Sequence, residues 1–166
     1  MARRRRVPAS EVVENLSQDF AYQAELARQV EEQSELAAEC AADERECVQE
    51  IRRLGYDIDS VWDLVDGALH PVLARRFVGP YKKAYVVLIL HLHRPHHPRV
   101  REGIIRALTV RDGGVDLERA LLGEFNGETD RSLRWVLANA LTVAMPYHRR
   151  RKHPKLAAVY RGDRNA

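Results

Sequence analysis

The chain has 166 residues, which is enough for one domain with its own core but too few to expect two. Charged residues make up 31% and aromatic residues 7%, a balance that favours a helix-rich soluble protein over a β-sandwich. The longest dense apolar run, residues 85–90, is too short to cross a bilayer, and the N-terminus lacks the apolar segment of a secretory signal, so we expect a cytoplasmic protein without a membrane span.

Charge is divided unevenly along the chain, although the net charge is only +3. Residues 11–66 carry 16 acidic and 4 basic side chains, whereas residues 67–166 carry 8 acidic and 19 basic ones. Opposite charges on two parts of one chain favour self-association or a charged partner.

The first predicted elements are a disordered basic N-terminus, residues 1–9, and a long acidic helical arm, residues 10–55. Neither proline nor glycine occurs between Pro8 and Gly55, and most residues there are strong helix formers. The two cysteines of the chain are seven residues apart on this arm, about 10 Å along a helix, which predicts reduced thiols rather than a disulfide.

A heptad pattern runs along the arm and is apolar only at its ends, with Val13 and Leu16 at one end and Val48 and Ile51 at the other. Its middle positions are small or polar. Two interpretations stay open: the arm packs partly on the rest of the chain and is otherwise solvated, or it pairs with the arm of a second copy in a homodimer.

Residues 56–166 are predicted to form a helical repeat domain with a basic C-terminal tail. Ser60 followed by Asp63 has the spacing of a capping box and predicts the start of a short helix. At an offset of 33 residues, VREGIIRALTV at 100–110 aligns with LRWVLANALTV at 133–143 with five identities, and the preceding apolar segments match in pattern. A period near this length, with two helices per unit, is typical of an α-solenoid, so the predicted fold class is all-α.

The segments SVWDLV, HPRVREGIIRAL and TDRSLRWVLANAL resemble HEAT repeats, and specifically the small bacterial members of that family. In the last two, a hydrophobic residue followed by arginine opens the second helix, at Arg101 and Arg134. The resemblance covers residues 59–145, with a degenerate unit before Tyr81. It implies a short α-solenoid of HEAT-like helical hairpins that serves as a binding scaffold.

Histidines precede helix-opening prolines at three places in the sequence. His97 stands before Pro98 and aligns with Asp130 at the repeat offset, so both residues are predicted to cap the second helix of their unit. The other two pairs are His70–Pro71 and His153–Pro154. These spacings predict turns rather than ligands.

His91, His93 and His96 complete a dense histidine segment between two predicted helices. His91 and His93 should point to different sides of a helix, and Pro95 separates His96 from them. A zinc site needs ligands whose spacing lets them converge, so we predict neither a metal site nor a cofactor.

The second helices of the two units carry the predicted partner-binding surface, because the HEAT resemblance implies that such helices line the concave side. A large aromatic side chain beside arginines is the composition of a binding hot spot. Two alternatives stay open for Trp135, which is either exposed for binding or covered by the C-terminal segment. The predicted residues, which we call the second-helix face, are Arg99, Glu102, Arg106, Arg131, Trp135 and Asn139.

The densest basic segment lies near the C-terminus and, together with Arg3–Arg6, has the charge to contact phosphate. No base-reading motif accompanies it, and a solvated basic turn or a counter-surface for the acidic arm is the competing interpretation. Its members, which we call the basic cluster, are Arg149, Arg150, Arg151, Lys152 and Lys155.

Nothing in the sequence resembles a phosphate loop, a nucleophile elbow or a paired zinc motif, so we expect a protein that is not an enzyme. The predicted function is protein binding through the second-helix face, as an adaptor, regulator or inhibitor-type partner. The alternative is nucleic-acid binding through the basic face and the basic cluster.

Overall fold

A computed structural model describes residues 20–66 and 80–161 of the chain. The predicted disordered segment 1–9, the heptad residues Val13 and Leu16, and the His70–Pro71 pair lie outside the described residues. The described residues form helices joined by turns and contain no β-strand. The prediction of an all-α chain is therefore confirmed for this part of the sequence.

The helices in the described ranges are α1 (Phe20–Asp43), α2 (Arg45–Arg53), α3 (Asp63–Asp66), α4 (Tyr85–Leu92), α5 (Pro98–Ala107), α6 (Gly114–Gly127), α7 (Arg131–Ala144), α8 (Tyr147–Arg150) and α9 (Pro154–Arg161). A 3-10 turn, Lys82–Ala84, leads into α4. None of the helices described is both long enough and apolar enough to cross a membrane.

The chain divides into two compact units, residues 1–39 and 40–166. The described part of the first unit is the N-terminal portion of α1, in which Tyr22, Leu26 and Val30 are exposed. These three side chains are four residues apart and therefore share one face of the helix. In this unit α1 thus exposes an apolar stripe as well as its acidic side chains.

One hydrophobic core, to which every helix from α2 to α7 contributes, holds the second unit together. Val48 and Ile51, at the C-terminal end of the predicted heptad pattern, belong to it. Its largest fully buried side chains are Phe125, Ile51, Ile58, Leu88, Leu92, Ile104, Ile105, Leu108, Leu117, Leu121, Leu137 and Leu141.

The helices of the second unit make a regular set of contacts. The hairpin α4–α5 is followed by the hairpin α6–α7, and the two helices of each hairpin pack on each other. The first helices α4 and α6 are in contact, and so are the second helices α5 and α7. Before them, α2 packs on α4 and α3 packs on α5, while α8 and α9 both contact α7.

Glu44 separates α1 from α2, although its backbone stays close to helical, with φ −81° and ψ −5°. Its side chain is only 6% exposed. Oε2 of Glu44 accepts hydrogen bonds from Oγ of Ser60, 3.0 Å away, and from the amide of Val61, 2.9 Å away. Burial raises the pKa of Glu44, while these two hydrogen bonds act to lower it. The carboxyl group thus ties the start of α2 to the segment that leads into α3.

The predicted helix starts are confirmed at three positions. Nδ1 of His97 accepts a hydrogen bond from the amide two residues later, at 3.2 Å, and Pro98 occupies the first turn. Oδ1 of Asp130 accepts from the amide three residues later, at 2.8 Å. At the capping box, Oγ of Ser60 accepts from the amide two residues on, and Oδ2 of Asp63 accepts from the amide of Ser60. Each bond satisfies an amide that lacks a partner within its own helix.

The arginine that follows the hydrophobic residue in each repeat secures the end of the preceding helix. Arg101 donates from Nη1 to the carbonyl of Leu92, the last residue of α4, at 3.1 Å. Arg134 donates to the carbonyl of Glu128, just after α6, at 3.2 Å, and its guanidinium lies 4.8 Å from the ring centre of Phe125. A cation suits a helix C-terminus because the last carbonyls there lack partners.

Candidate partner-binding face

The second-helix face lies on two helices that contact each other, α5 and α7. Arg99, Arg131 and Trp135 are exposed, whereas Glu102, Arg106 and Asn139 are partly exposed. The face therefore combines charged side chains on α5 with an exposed aromatic side chain on α7, a helix in contact with α5.

Trp135 is 49% exposed, which answers the question of its accessibility that the sequence left open. The helix α9 does pack on α7, and Leu156 of α9 is buried in the core. The contact of α9 with α7 nevertheless leaves about half of the Trp135 surface accessible.

Glu102 and Arg106 form an ion pair on α5, with 2.7 Å between Oε1 of Glu102 and Nη2 of Arg106. A glutamate four residues before an arginine is the favourable order on a helix. Arg99 and Arg131 form no salt bridge with another described residue. Arg99 and Arg131 are therefore the two cations of the second-helix face that can pair with an acidic group of a partner.

Val143 extends the exposed surface of α7 beyond the residues that were predicted. It lies eight residues after Trp135, on the same side of the helix, and is exposed. Tyr147, at the start of α8, is also exposed. The four-residue spacing of Trp135, Asn139 and Val143 could have identified Val143 as part of the face. In the repeat alignment, however, Val143 matches Val110 and resembles a core position.

The basic cluster is divided by the structure, because two of its five members turn towards the protein. Nη2 of Arg149 lies 3.0 Å from Oε1 of the buried Glu118, and the guanidinium of Arg150 lies 5.7 Å from the ring centre of Tyr147. A buried carboxylate requires a cationic or hydrogen-bonding partner, which accounts for the position of Arg149. The cluster members that remain exposed are Arg151, Lys152 and Lys155.

Three hydrogen-bonded side chains, Asp43 at the end of α1, His96 in the turn between α4 and α5, and His91 on α4, form what we call the histidine row. Nδ1 of His91 lies 3.1 Å from Nε2 of His96, and Nδ1 of His96 lies 2.9 Å from Oδ2 of Asp43. His91 is buried and His93 is exposed, so the two point to different sides as predicted. Sequence reasoning missed the row because Asp43 lies 53 residues before His96.

We next consider whether the described residues could bind a metal ion or supply a reactive thiol. No group of three or more His, Cys, Asp or Glu side chains there could hold a metal ion. Cys40 and Cys47 are not joined in a disulfide, in agreement with the prediction from their spacing. Burial raises the pKa of Cys47 to about 12, which keeps this thiol protonated and unreactive at neutral pH.

The described contacts thus give a helical body with an exposed tryptophan and arginines on two neighbouring helices. Comparison of the chain with protein-family models, with curated proteins and with solved structures finds no significant match to any of them.

Proposed function

We propose that the chain is a non-catalytic, protein-binding scaffold built from HEAT-like helical hairpins, acting as an adaptor, regulator or inhibitor-type partner. The helix contacts support the solenoid arrangement: α2, α4 and α6 follow one another as first helices, and α3, α5 and α7 as second helices. Such stacking lets each hairpin bury its apolar face against the next one.

The observation that carries the proposed function is the exposure of Trp135, which is 49%, on α7, a helix that packs against α5 and its arginines. An exposed tryptophan has a large apolar surface in contact with water, and burial of that surface against a partner contributes strongly to binding affinity. Tryptophan and arginine are the residue types most enriched among binding hot spots. Arg99 and Arg131 would pair with acidic groups at the rim of such an interface.

We expect Trp135→Ala to weaken partner binding by about 30-fold or more, which corresponds to roughly 2 kcal/mol. The measurement compares capture of host proteins by immobilised parent and variant, followed by titration of the captured protein. Leu90→Ala is the matched control, because Leu90 is an exposed apolar residue of α4, outside the second helices. A partner that binds the Trp135→Ala variant as tightly as the parent would remove the second-helix face from the proposal.

Nucleic-acid binding is the second candidate function, supported by the exposure of Arg151, Lys152 and Lys155 near α9. If these three cations supply the phosphate contacts, the binding should be weak and salt-dependent, with a slope of log K against log salt near about −3. We expect no gel retardation of DNA or RNA at about 0.15 M salt. Retardation under that condition, lost when all three residues are changed to alanine but kept in Arg149→Ala, would favour this second function instead.

A further inference from the structure

The histidine row has a fixed direction that its hydrogen-bond partners determine. Oδ2 of Asp43 accepts a hydrogen bond from the backbone amide of His97 at 3.1 Å, so it also acts as acceptor towards Nδ1 of His96. Nδ1 of His96 then carries the proton, and Nε2 of a neutral His96 has only a lone pair. His91 must therefore donate from Nδ1, which leaves the lone pair of His91 on Nε2.

Nε2 of His91 faces two groups of opposite charge. Nη1 of Arg94 and Oε2 of Glu50 each lie 3.5 Å from it. The guanidinium can donate towards the lone pair of a neutral imidazole, whereas the carboxylate can accept only from a protonated one. Arg94 has a second partner, since its Nη1 lies 3.2 Å from Oε2 of Glu46.

We propose that His91 is a buried proton-binding site at which the arrival of one proton exchanges Arg94 for Glu50 as the partner of Nε2. In the neutral form Arg94 donates to Nε2 of His91. When a proton from solvent binds there, Nε2–H donates to Glu50, and Arg94 is left with Glu46. The rest of the row keeps its direction, because Asp43 still accepts from His96.

The groups around His91 determine how readily it takes the proton. From α2, Glu46, Glu50 and the buried thiol of Cys47 face this region. From the turn that follows α4, Arg94 and His96 do so, and from α1 Asp43 contacts His96. Burial, Arg94 and His96 lower the pKa of His91, and Glu50 and Glu46 act to raise it, with burial the largest of these effects.

Proton binding should therefore weaken the folded state. The pKa of His91 is lower in the folded protein than in the unfolded chain, so the unfolded chain binds more protons as the medium is acidified. The stability contributed by neutral His91 is complete above about pH 6.5 and is lost as the pH falls below that value. Because Glu50 lies on α2 and His91 on α4, the packing of these two helices is where acid should act.

The direct test is an NMR titration of the imidazole signals of the full chain between about pH 8 and pH 5. We expect Arg94→Gln to raise the pKa of His91 and Glu50→Gln to lower it. The imidazole signals of the exposed His148 serve as the internal control. Nitrogen shifts should place the lone pair of neutral His91 on Nε2. Shifts of the same sign in the two variants, no shift in either, or a proton on Nε2 at the alkaline end would overturn the proposal.

Thermal stability offers a second measurement that a purely structural role would not reproduce. The melting temperature of the parent should fall more between about pH 8 and pH 5 than that of His91→Gln. The difference should be up to about 4 °C for each unit by which the folded pKa of His91 lies below its unfolded value, and it stops growing once the folded pKa lies below about pH 5. His148→Gln should behave like the parent. Equal losses in the parent and in His91→Gln would overturn the proposal, and if His91→Gln does not fold, the titrations of the two variants at Arg94 and Glu50 decide it.

Discussion

Replacing Phe125 with alanine is expected to lower the free energy of unfolding by about 3 to 5 kcal/mol. Phe125 is 1% exposed, so the change leaves a cavity in the core between α6 and its neighbours. The substitution also removes the ring beneath the guanidinium of Arg134, 4.8 Å from its centre. Since a domain of this size is stable by only about 5 to 15 kcal/mol, the loss is a large part of the total.

The matched control is the same substitution at Phe20, whose side chain is 91% exposed on α1. Phe20→Ala should change the free energy of unfolding by no more than about 0.5 kcal/mol. Urea denaturation followed by far-ultraviolet circular dichroism measures both variants. A loss below about 1 kcal/mol for Phe125→Ala would show that Phe125 does not fill the core in the way described.

Replacing Glu44 with alanine should lower the free energy of unfolding by about 2 to 3 kcal/mol. The change removes the acceptor for Oγ of Ser60 and for the amide of Val61, which lie 3.0 and 2.9 Å from Oε2. Val61 is fully buried, so water cannot readily replace the lost bond. Urea denaturation at neutral pH measures the loss.

Glu44→Gln separates the hydrogen bonds from the charge, because both donors bind the same oxygen and the amide oxygen of glutamine can replace it. Burial raises the pKa of Glu44, so the folded state prefers the protonated form, and ionisation costs stability as the pH rises above about 4.5. We expect Glu44→Gln to equal or exceed the parent at neutral pH, with its advantage shrinking as the pH falls towards 4.5. A glutamine variant as unstable as Glu44→Ala would mean that the charge itself is required.

Local features of the fold could be predicted because they depend on residues close together in sequence. The 33-residue repeat identified the hairpins that begin at α4 and α6, and it correctly aligned His97 with Asp130 as caps. The repeated arginines, Arg101 and Arg134, were recognisable as a sequence pattern. Their hydrogen bonds to carbonyls at the ends of α4 and α6 were not, because the pattern does not indicate which carbonyl an arginine binds.

Contacts between distant residues could not be predicted. Periodicity places a residue on a face of a helix but does not say what covers that face. The carboxyl group of Glu44 binds Ser60 and Val61, and Arg149 of the basic cluster pairs with the buried Glu118. The exposure of Trp135 likewise depended on where α9 packs. In each case the partner lies on another helix or loop.

The position of Glu44 between α1 and α2 has a consequence for how the chain can be shortened. A fragment that starts at residue 56 would lack Cys47, Val48 and Ile51, all of which are core side chains, and would leave the amide of Val61 without its acceptor. A fragment that starts at Cys40 keeps all of them and coincides with the second compact unit. The minimal autonomous folding unit of this protein should therefore begin near residue 40, and it is the natural starting point for isolating the second-helix face.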